Sequence, residues 1–214
     1  MSGQETPRPP ATAEFGHVTP DGPAHHYPDT GVAKLSVGAY DNNVYVIARD
    51  GQGIIVDGAA DPERILKEVA GLAVAGIVQT HNHFDHVQAL ADLVAALNVP
   101  VYAHRLDAPP VGFEPLDEGS VTIGSITLRV LHTPGHTPGS LCYLIDEFLF
   151  SGDTLFPGGP GNTDGDPSRF ANVMASLDRL FVLPDATRVL PGHGLDTTIG
   201  RERPYVETWR TRGW

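Results

Sequence analysis

The segment His81-Asn82-His83-Phe84-Asp85-His86 decides how this 214-residue chain is interpreted. It places three imidazoles and one carboxylate in a single short stretch, in the order His-x-His-x-Asp-His. Divalent first-row metals accept imidazole nitrogen and carboxylate oxygen together. The segment therefore predicts a metal site, because a solvated polar loop needs no such concentration of ligands.

Three later turns supply further candidate ligands, each after an apolar run that ends in glycine. They are Thr133-Pro134-Gly135-His136, Phe150-Ser151-Gly152-Asp153 and Leu190-Pro191-Gly192-His193. Glycine lets the backbone turn sharply and approach a site closely. Alone, each of these ligands is typical of a turn or a cap, but with the first segment they form a set large enough for two metals. The set consists of His81, His83, Asp85, His86, His136, Asp153 and His193.

Length and composition predict one folded domain. A hydrophobic content of 41% suits a globular core, and the sequence has no apolar run long enough for a membrane-spanning helix. Residues 1–30 are rich in proline, glycine and threonine and lack apolar periodicity, so we expect a flexible N-terminal tail before a single domain over 31–214. The only cysteine, Cys142, lies in an apolar run and excludes an internal disulfide, which favours a reducing, cytoplasmic location.

The charge of the chain indicates which partners to expect. A formal net charge of -12 repels phosphate backbones and anionic membranes at long range. We therefore expect a small-molecule substrate rather than nucleic acid or a membrane. The oligomeric state is left open by the sequence.

The order of predicted elements alternates between strand-rich and helical segments. Val32 to Val37, Val44 to Arg49 and Leu141 to Ile145 have the composition of strands, and Asp50-Gly51 suits a hairpin turn. Asp-Pro pairs at Asp61 and Asp166 are typical of helix starts. Periodicity alone supports a mixed α/β fold.

The seven candidate ligands and their glycine-rich turns resemble the metallo-β-lactamase superfamily from about residue 31 to 200. The resemblance implies a four-layer αββα sandwich. It also implies two divalent ions, for which zinc is expected and iron or manganese would suit the same ligands. One ion would take the positions matching His81, His83 and His136, the other those matching Asp85, His86 and His193. Asp153 would bridge them.

The resemblance suggests roles for two further acidic positions. A metal-bound imidazole usually donates its second N–H to a carboxylate or carbonyl, and Asp57 is the candidate partner because the family has an acid there. An exposed strand-end aspartate is the equal alternative from the residues alone. Asp85 is the candidate catalytic group, orienting the metal-activated hydroxide and accepting a proton.

The bridging position narrows the substrate class. Asp153, within Phe150-Ser151-Gly152-Asp153-Thr154-Leu155-Phe156, resembles the thioesterase branch related to glyoxalase II, or hydroxyacylglutathione hydrolase. A metal-dependent hydrolase acting on a thioester or related acyl compound is therefore the leading prediction. The loop that includes Gly159 and Asn162 is expected to line the substrate entrance, although Asn162 stands where that branch usually has arginine.

Two alternatives remain open from the sequence. An iron oxygenase resembling the persulfide dioxygenases would use only the positions matching His81, His136 and Asp153. A non-catalytic metal-binding domain is the other alternative, although such a domain should have lost at least one ligand.

Overall fold

Two β-sheets form the centre of the molecule. The computed structural model describes residues 18–19 and 22–213. The first sheet contains seven strands in sequence order: β1 (His25–Tyr27), β2 (Val32–Val37), β3 (Asn42–Arg49), β4 (Gln52–Val56), β5 (Ala73–Val78), β6 (Val101–Ala103) and β7 (Glu114–Pro115). The first four strands pair antiparallel, and β4 to β7 run parallel to one another.

The second sheet contains six strands in the order β15-β14-β11-β10-β9-β8. Their bounds are β8 (Gly119–Ile123), β9 (Ile126–His132), β10 (Leu141–Ile145), β11 (Phe148–Gly152), β14 (Arg188–Pro191) and β15 (Thr197–Thr198). Only β11 and β14 pair in parallel within it. A separate two-stranded ribbon joins β12 (Leu155–Phe156) to β13 (Gly159–Pro160).

Helices cover the outer face of each sheet. They are α1 (Pro62–Glu68), α2 (Phe84–Val87), α3 (Leu90–Leu97), α4 (Pro167–Leu180), α5 (Ile199–Glu202) and α6 (Val206–Arg212), with short 3-10 turns at Arg105–Asp107 and Arg203–Tyr205. None of the helices within the described part of the chain is long and apolar enough to cross a membrane.

Three apolar clusters define the layers. One lies between the sheets and joins residues such as Tyr45 and Ile54 to Tyr143 and Phe150. A second packs α1 and α3 on the first sheet, and a third packs α4 and α6 on the second. The layer order is therefore helix, sheet, sheet, helix, as the sequence resemblance implied.

The N-terminal boundary differs from the sequence prediction. Residues 1–17 and 20–21 of the predicted tail lie outside the described residues. His25–Tyr27, also assigned to the tail, pair with β2, and Tyr27 is 2% exposed. The sheet thus begins before residue 31, because Tyr27 finds a buried partner in Asp196, 169 residues away, which no local pattern signals.

Candidate metal centre

The two sheets deliver their candidate ligands to a common edge. His81 and His83 lie in the loop just after β5, and Asp85 and His86 lie in the single turn of α2. β4 and β5 are parallel, so both strands end at the same edge of the sheet, and the loop after β5 lies next to the end of β4. The first sheet therefore contributes all four ligands of the His-x-His-x-Asp-His segment.

The second sheet contributes the other three. His136 lies in the turn between β9 and β10, Asp153 follows β11, and His193 follows β14. The hydrogen bonds that join the sheets at this edge include those from Leu141 N to Thr80 O (2.8 Å) and from the Tyr143 hydroxyl to Gln79 O (2.5 Å). All seven predicted ligands are brought together.

His81, His83 and His136 form the first group of ligand atoms, which lie within 4.8 Å of one another. His83 Nδ1 lies 3.2 Å from His81 Nε2 and 2.9 Å from His136 Nε2. Zinc–nitrogen bonds of about 2.0–2.1 Å would separate two nitrogens of a tetrahedral site by about 3.3–3.4 Å. The observed spacing is close to that of ligands sharing one ion.

Asp85, His86 and His193 form the second group, with the same 4.8 Å limit. His86 Nε2 and His193 Nε2 are 3.2 Å apart. Asp85 Oδ2 lies 3.3 Å from His193 Nε2 and 3.8 Å from His86 Nε2. This group offers two nitrogens and one oxygen, a donor set that suits zinc, iron and manganese.

Asp153 lies between the two groups. Its Oδ2 is 3.4 Å from His136 Nε2 and 3.6 Å from His193 Nε2, and its Oδ1 is 3.5 Å from His86 Nε2. Oδ1 is buried and has no hydrogen-bond partner among the described residues. A buried carboxylate oxygen without a donor is costly unless a cation neutralises it, so this atom fits a bridging ligand.

Hydrogen bonds on the far side of each ring orient the imidazoles. His136 Nδ1 donates to Asn162 O (2.8 Å), and His193 Nδ1 donates to Tyr40 O (2.8 Å). Because a carbonyl can only accept, the proton of each neutral ring stays on Nδ1 and leaves Nε2 free to bind a cation.

Asp57 completes this outer layer of contacts. It is 2% exposed, and its Oδ2 accepts from His86 Nδ1 at 2.9 Å and from the Thr80 hydroxyl at 2.8 Å. Its Oδ1 accepts from Thr80 N at 2.7 Å. Asp57 is thus a buried partner of a candidate ligand, and the exposed strand-end alternative does not apply.

The electrostatics of the centre couple His86 to Asp153. Burial opposes protonation of His86, but the carboxylates of Asp153 and Asp57 outweigh it and raise its pKa to about 10. Burial alone would raise the pKa of Asp153, but the nearby His86 lowers it below the usual range. Burial lowers the pKa of His81 well below 6.5, with His86 acting in the same direction. Binding of a cation would therefore release the proton of His86.

Two glycines allow the close packing. A Cβ at Gly192 would lie 2.2 Å from Asp153 Oδ1, and one at Gly161 would lie 1.9 Å from Asp153 O. Any larger residue at either position would displace the candidate bridging ligand. The glycine before His193 is therefore required by contact and not only by the turn.

Gly159 and Asn162, the two residues named in the predicted substrate loop, have different surroundings. Gly159 is buried in β13, and a Cβ there would face Arg212 and Trp209 of α6 rather than the ligands. Asn162 reaches the centre only through its carbonyl, while its side-chain amide donates to Asp164 Oδ1 (2.9 Å). β12 and β13 pair with each other beside the C-terminal helix, and the role of Gly159 and Asn162 in lining the substrate entrance stays a prediction.

Three residues near the centre were missed by the sequence analysis. Asn42 donates through Nδ2 to Asp85 Oδ2 (2.9 Å). Asp107 Oδ1 accepts from Gly139 N (3.0 Å), and its Oδ2 accepts from the Thr137 hydroxyl, which fixes the His136 turn. Arg169 donates to the carbonyl of His136. Each contact joins residues about 30 or more positions apart, so no local motif could have identified it.

Comparison with known proteins agrees with this geometry. A family model described as the metallo-beta-lactamase superfamily matches residues 37–112 and 107–193. The chain belongs to the metallo-beta-lactamase superfamily. It is a hydrolase-like member with histidine and aspartate candidate sites for divalent metals.

Relatives within this superfamily include two named hydrolases. The probable metallo-hydrolase YqgX of Bacillus subtilis is 32% identical over 196 residues, covering 79% of this chain and 93% of that protein. A hydroxyacylglutathione hydrolase of Alkalilimnicola ehrlichii is 38% identical over 144 residues, covering 65% of this chain but only 55% of the relative. These similarities agree with the predicted glyoxalase II-like branch.

Solved structures of the superfamily confirm the predicted fold class. TTHA1623 in a di-iron-bound form has a TM-score of 0.71 and 37% identity, covering 79% of this chain and 96% of that one. BLEG-1, a B3 metallo-beta-lactamase, has a TM-score of 0.74 and 33% identity, covering 81% of this chain and 96% of that one. ETHE1 from Myxococcus xanthus has a TM-score of 0.72 and 32% identity, covering 79% of this chain and 80% of that one.

Proposed function

We propose that this protein is a metal-dependent hydrolase that cleaves a thioester or a related acyl compound at a centre of two divalent ions. The observation that carries the proposal is the pair of ligand groups on either side of Asp153, whose buried Oδ1 has no hydrogen-bond partner among the described residues. Zinc is the metal we expect, because its usual ligands in proteins include imidazole nitrogen and carboxylate oxygen. When bound, such ions lower the pKa of water from 15.7 toward about 7 and supply hydroxide at neutral pH.

The side chains of the centre have distinct tasks in this proposal. His81, His83 and His136 would hold one ion, and Asp85, His86 and His193 the other, with Asp153 reaching both. The carbonyls of Asn162 and Tyr40 and the carboxylate of Asp57 keep the rings in the orientation that binding requires.

Asp85 is the candidate proton acceptor. Its side chain is 23% exposed, against 11% for Asp153, so it is the more accessible carboxylate to an incoming substrate. The amide of Asn42 fixes one of its oxygens. Asp85 is thus both oriented and reachable, which a group that moves a proton during acyl transfer requires.

The residues of the predicted substrate loop favour an acyl compound whose binding does not depend on pairing an anionic group with an arginine. The position where the resembled branch has arginine is Asn162, whose side chain bonds Asp164. Arg169, in the first turn of α4 after this loop, pairs with Asp164 at 2.6 Å and also donates to Gly135 O (3.1 Å). The chain covers 55% of the hydroxyacylglutathione hydrolase relative, so the proposal concerns the acyl thioester and not recognition of glutathione.

Elemental analysis combined with a turnover panel tests the proposal. Purified protein should contain two metal ions per chain and should release thiol from acyl thioesters faster than it opens lactones or β-lactams. The β-lactam arm matters because a B3 metallo-beta-lactamase is 33% identical. Two ions with β-lactam turnover alone would replace the thioester proposal by an antibiotic-hydrolysing one.

A second candidate function is oxygenation of a thiol persulfide at a single iron. The likeness to ETHE1 from Myxococcus xanthus favours it, as does the proximity of His136 Nε2 and Asp153 Oδ2, 3.4 Å apart. One iron per chain with oxygen uptake on a glutathione persulfide would establish this alternative. Absence of turnover in every arm would instead favour a non-catalytic metal-binding domain.

A further inference from the structure

The turn between β2 and β3, together with Asn42 at the start of β3, contacts two ligands of the second group. Asn42 is fully buried and donates from Nδ2 to Asp85 Oδ2 at 2.9 Å. Its backbone forms an isolated bridge with His193, and Tyr40 O accepts from His193 Nδ1 at 2.8 Å. One short segment therefore positions both Asp85 and His193, although the two lie 108 residues apart in the sequence.

The turn itself is anchored at both ends. Gly38 N donates to Asp61 Oδ2 (3.0 Å), and the Ser36 hydroxyl donates to Asp41. On the other side Asn43 Nδ2 donates to the carbonyls of Pro191 (2.9 Å) and Gly194 (3.0 Å). These contacts hold the backbone on both sides of Asn42 in place, so its amide holds the Asp85 carboxylate in one orientation.

The first ligand group is held by other residues. His81 Nδ1 contacts the Thr80 hydroxyl at 3.0 Å, and His136 Nδ1 donates to Asn162 O at 2.8 Å. Within the described residues, no hydrogen bond joins the Tyr40–Asn43 segment to His81, His83 or His136. The turn therefore acts on one of the two groups.

We propose that Asn42 is a positioning residue that sets the affinity of the second ion group, Asp85, His86 and His193, and leaves the first group unaffected. The inference rests on the proposed two-ion centre. Ligands whose outer hydrogen bond is removed typically lose about 10- to 100-fold in metal affinity. Asn42 thereby determines whether the chain holds one ion or two at limiting metal concentration.

The Asn42→Ala variant is suited to the test because it should fold. Asn42 Oδ1 has no hydrogen-bond partner among the described residues, so its removal leaves no donor unsatisfied. The lost Nδ2 contact leaves Asp85, which is 23% exposed and can be solvated. Should Asn42→Ala prove insoluble, Asn42→Ser serves instead, because a serine hydroxyl is too short to reach Asp85. Asn172→Ala, on the exposed face of α4, is the matched control.

Titration of the metal-free, full-length chain with Zn²⁺, followed by calorimetry and by competition with a chromophoric chelator, tests the proposal. The wild-type and Asn172→Ala proteins should show two binding steps. In Asn42→Ala the affinity of one of the two steps should fall about 10- to 100-fold while that of the other step is unchanged. A uniform loss in both steps, or no loss in either, would overturn the inference while leaving a two-ion wild type intact. A wild-type chain that takes up one ion would overturn the two-ion centre itself.

Discussion

Replacing Lys34 by methionine should strongly destabilise the fold. The ammonium group is fully buried in β2, 2.8 Å from Asp196 Oδ1 and 2.6 Å from the carbonyl of Gly194. Asp196 Oδ2 accepts from the Tyr27 hydroxyl at 2.6 Å. After Lys34→Met the Asp196 carboxylate would stay buried, and among the described residues the neutral Tyr27 hydroxyl would be its remaining hydrogen-bond donor.

The size of the effect follows from the burial of both charges. Removing one partner of a buried ion pair costs about 3–5 kcal/mol, because the other charge is left uncompensated. For a chain of this size, each kcal/mol lowers the melting temperature by about 2–4 °C, so a decrease of about 6–20 °C is expected. Burial already raises the pKa of Asp196 despite the opposing effect of Lys34, which indicates how costly this carboxylate is without its partner.

Urea unfolding of the metal-free protein provides the measurement. Lys67→Met is the matched control, since Lys67 is exposed on α1 and its loss should change the free energy of unfolding by about 0.5 kcal/mol or less. The double variant Lys34→Met/Asp196→Asn should recover more than half of the loss, because the amide is neutral and still accepts from Tyr27. A single-variant loss below about 1 kcal/mol, or strictly additive losses in the double variant, would refute the ion-pair reasoning.

Three further predictions concern the centre and the thiol. Asp85→Asn should lower turnover by about 10²- to 10⁴-fold at saturating metal, and near-normal turnover with metal retained would reduce Asp85 to a positioning group. Removing metal with a chelator should abolish turnover and lower the melting temperature, both restored by Zn²⁺, whereas turnover that persists in metal-free protein would contradict the proposed chemistry. Burial raises the pKa of the Cys142 thiol to about 11, so at pH 8 the folded protein should not react with a thiol reagent. The urea-unfolded protein should react with one equivalent of reagent per chain. Rapid labelling of the native chain would show that Cys142 is accessible.

Local sequence signals predicted some helix and turn features and failed on others for a physical reason. Asp166 was predicted as an N-cap, and its Oδ1 accepts from Ser168 N (2.7 Å) and Arg169 N (3.1 Å). Asp61 has the same Asp-Pro signature, yet its side chain makes no cap bond and accepts instead from Gly38 N. The pattern specifies the possible local partner, whereas the choice between a local and a distant donor depends on tertiary structure.

The layered arrangement was available only through the family resemblance. Alternation and turn residues located the hairpin at Asp50-Gly51, where both residues have positive φ and Arg49 pairs with Gln52. The pairing of β11 with β14 joins strands separated by the whole of α4, and no periodicity encodes it. Strand order therefore had to come from the pattern of a known family rather than from propensity.

The ligands of the centre were predictable and their supports were not. The His-x-His-x-Asp-His segment and the glycine-rich turns are contiguous in sequence, so their chemistry is visible before folding. Lys34 looked like a routine strand residue, because its partners Gly194 and Asp196 lie about 160 residues away. The molecule has two halves, one built on each large sheet. Buried polar contacts between these halves produce no periodic pattern in the sequence.

The candidate metal centre lies where the two halves of the molecule pack against each other, so metal binding and the packing of the halves are linked. Each candidate ion would take two ligands from the His81–His86 segment and one from the second half, His136 or His193, with Asp153 also on that side. Each ion would thus join the halves, and ion binding must stabilise their association by thermodynamic linkage. The polar contacts of Lys34 and Asn43 to the loop around His193 hold the same two halves together without an ion. A change in these contacts should therefore alter metal affinity and fold stability together, even where it touches no ligand.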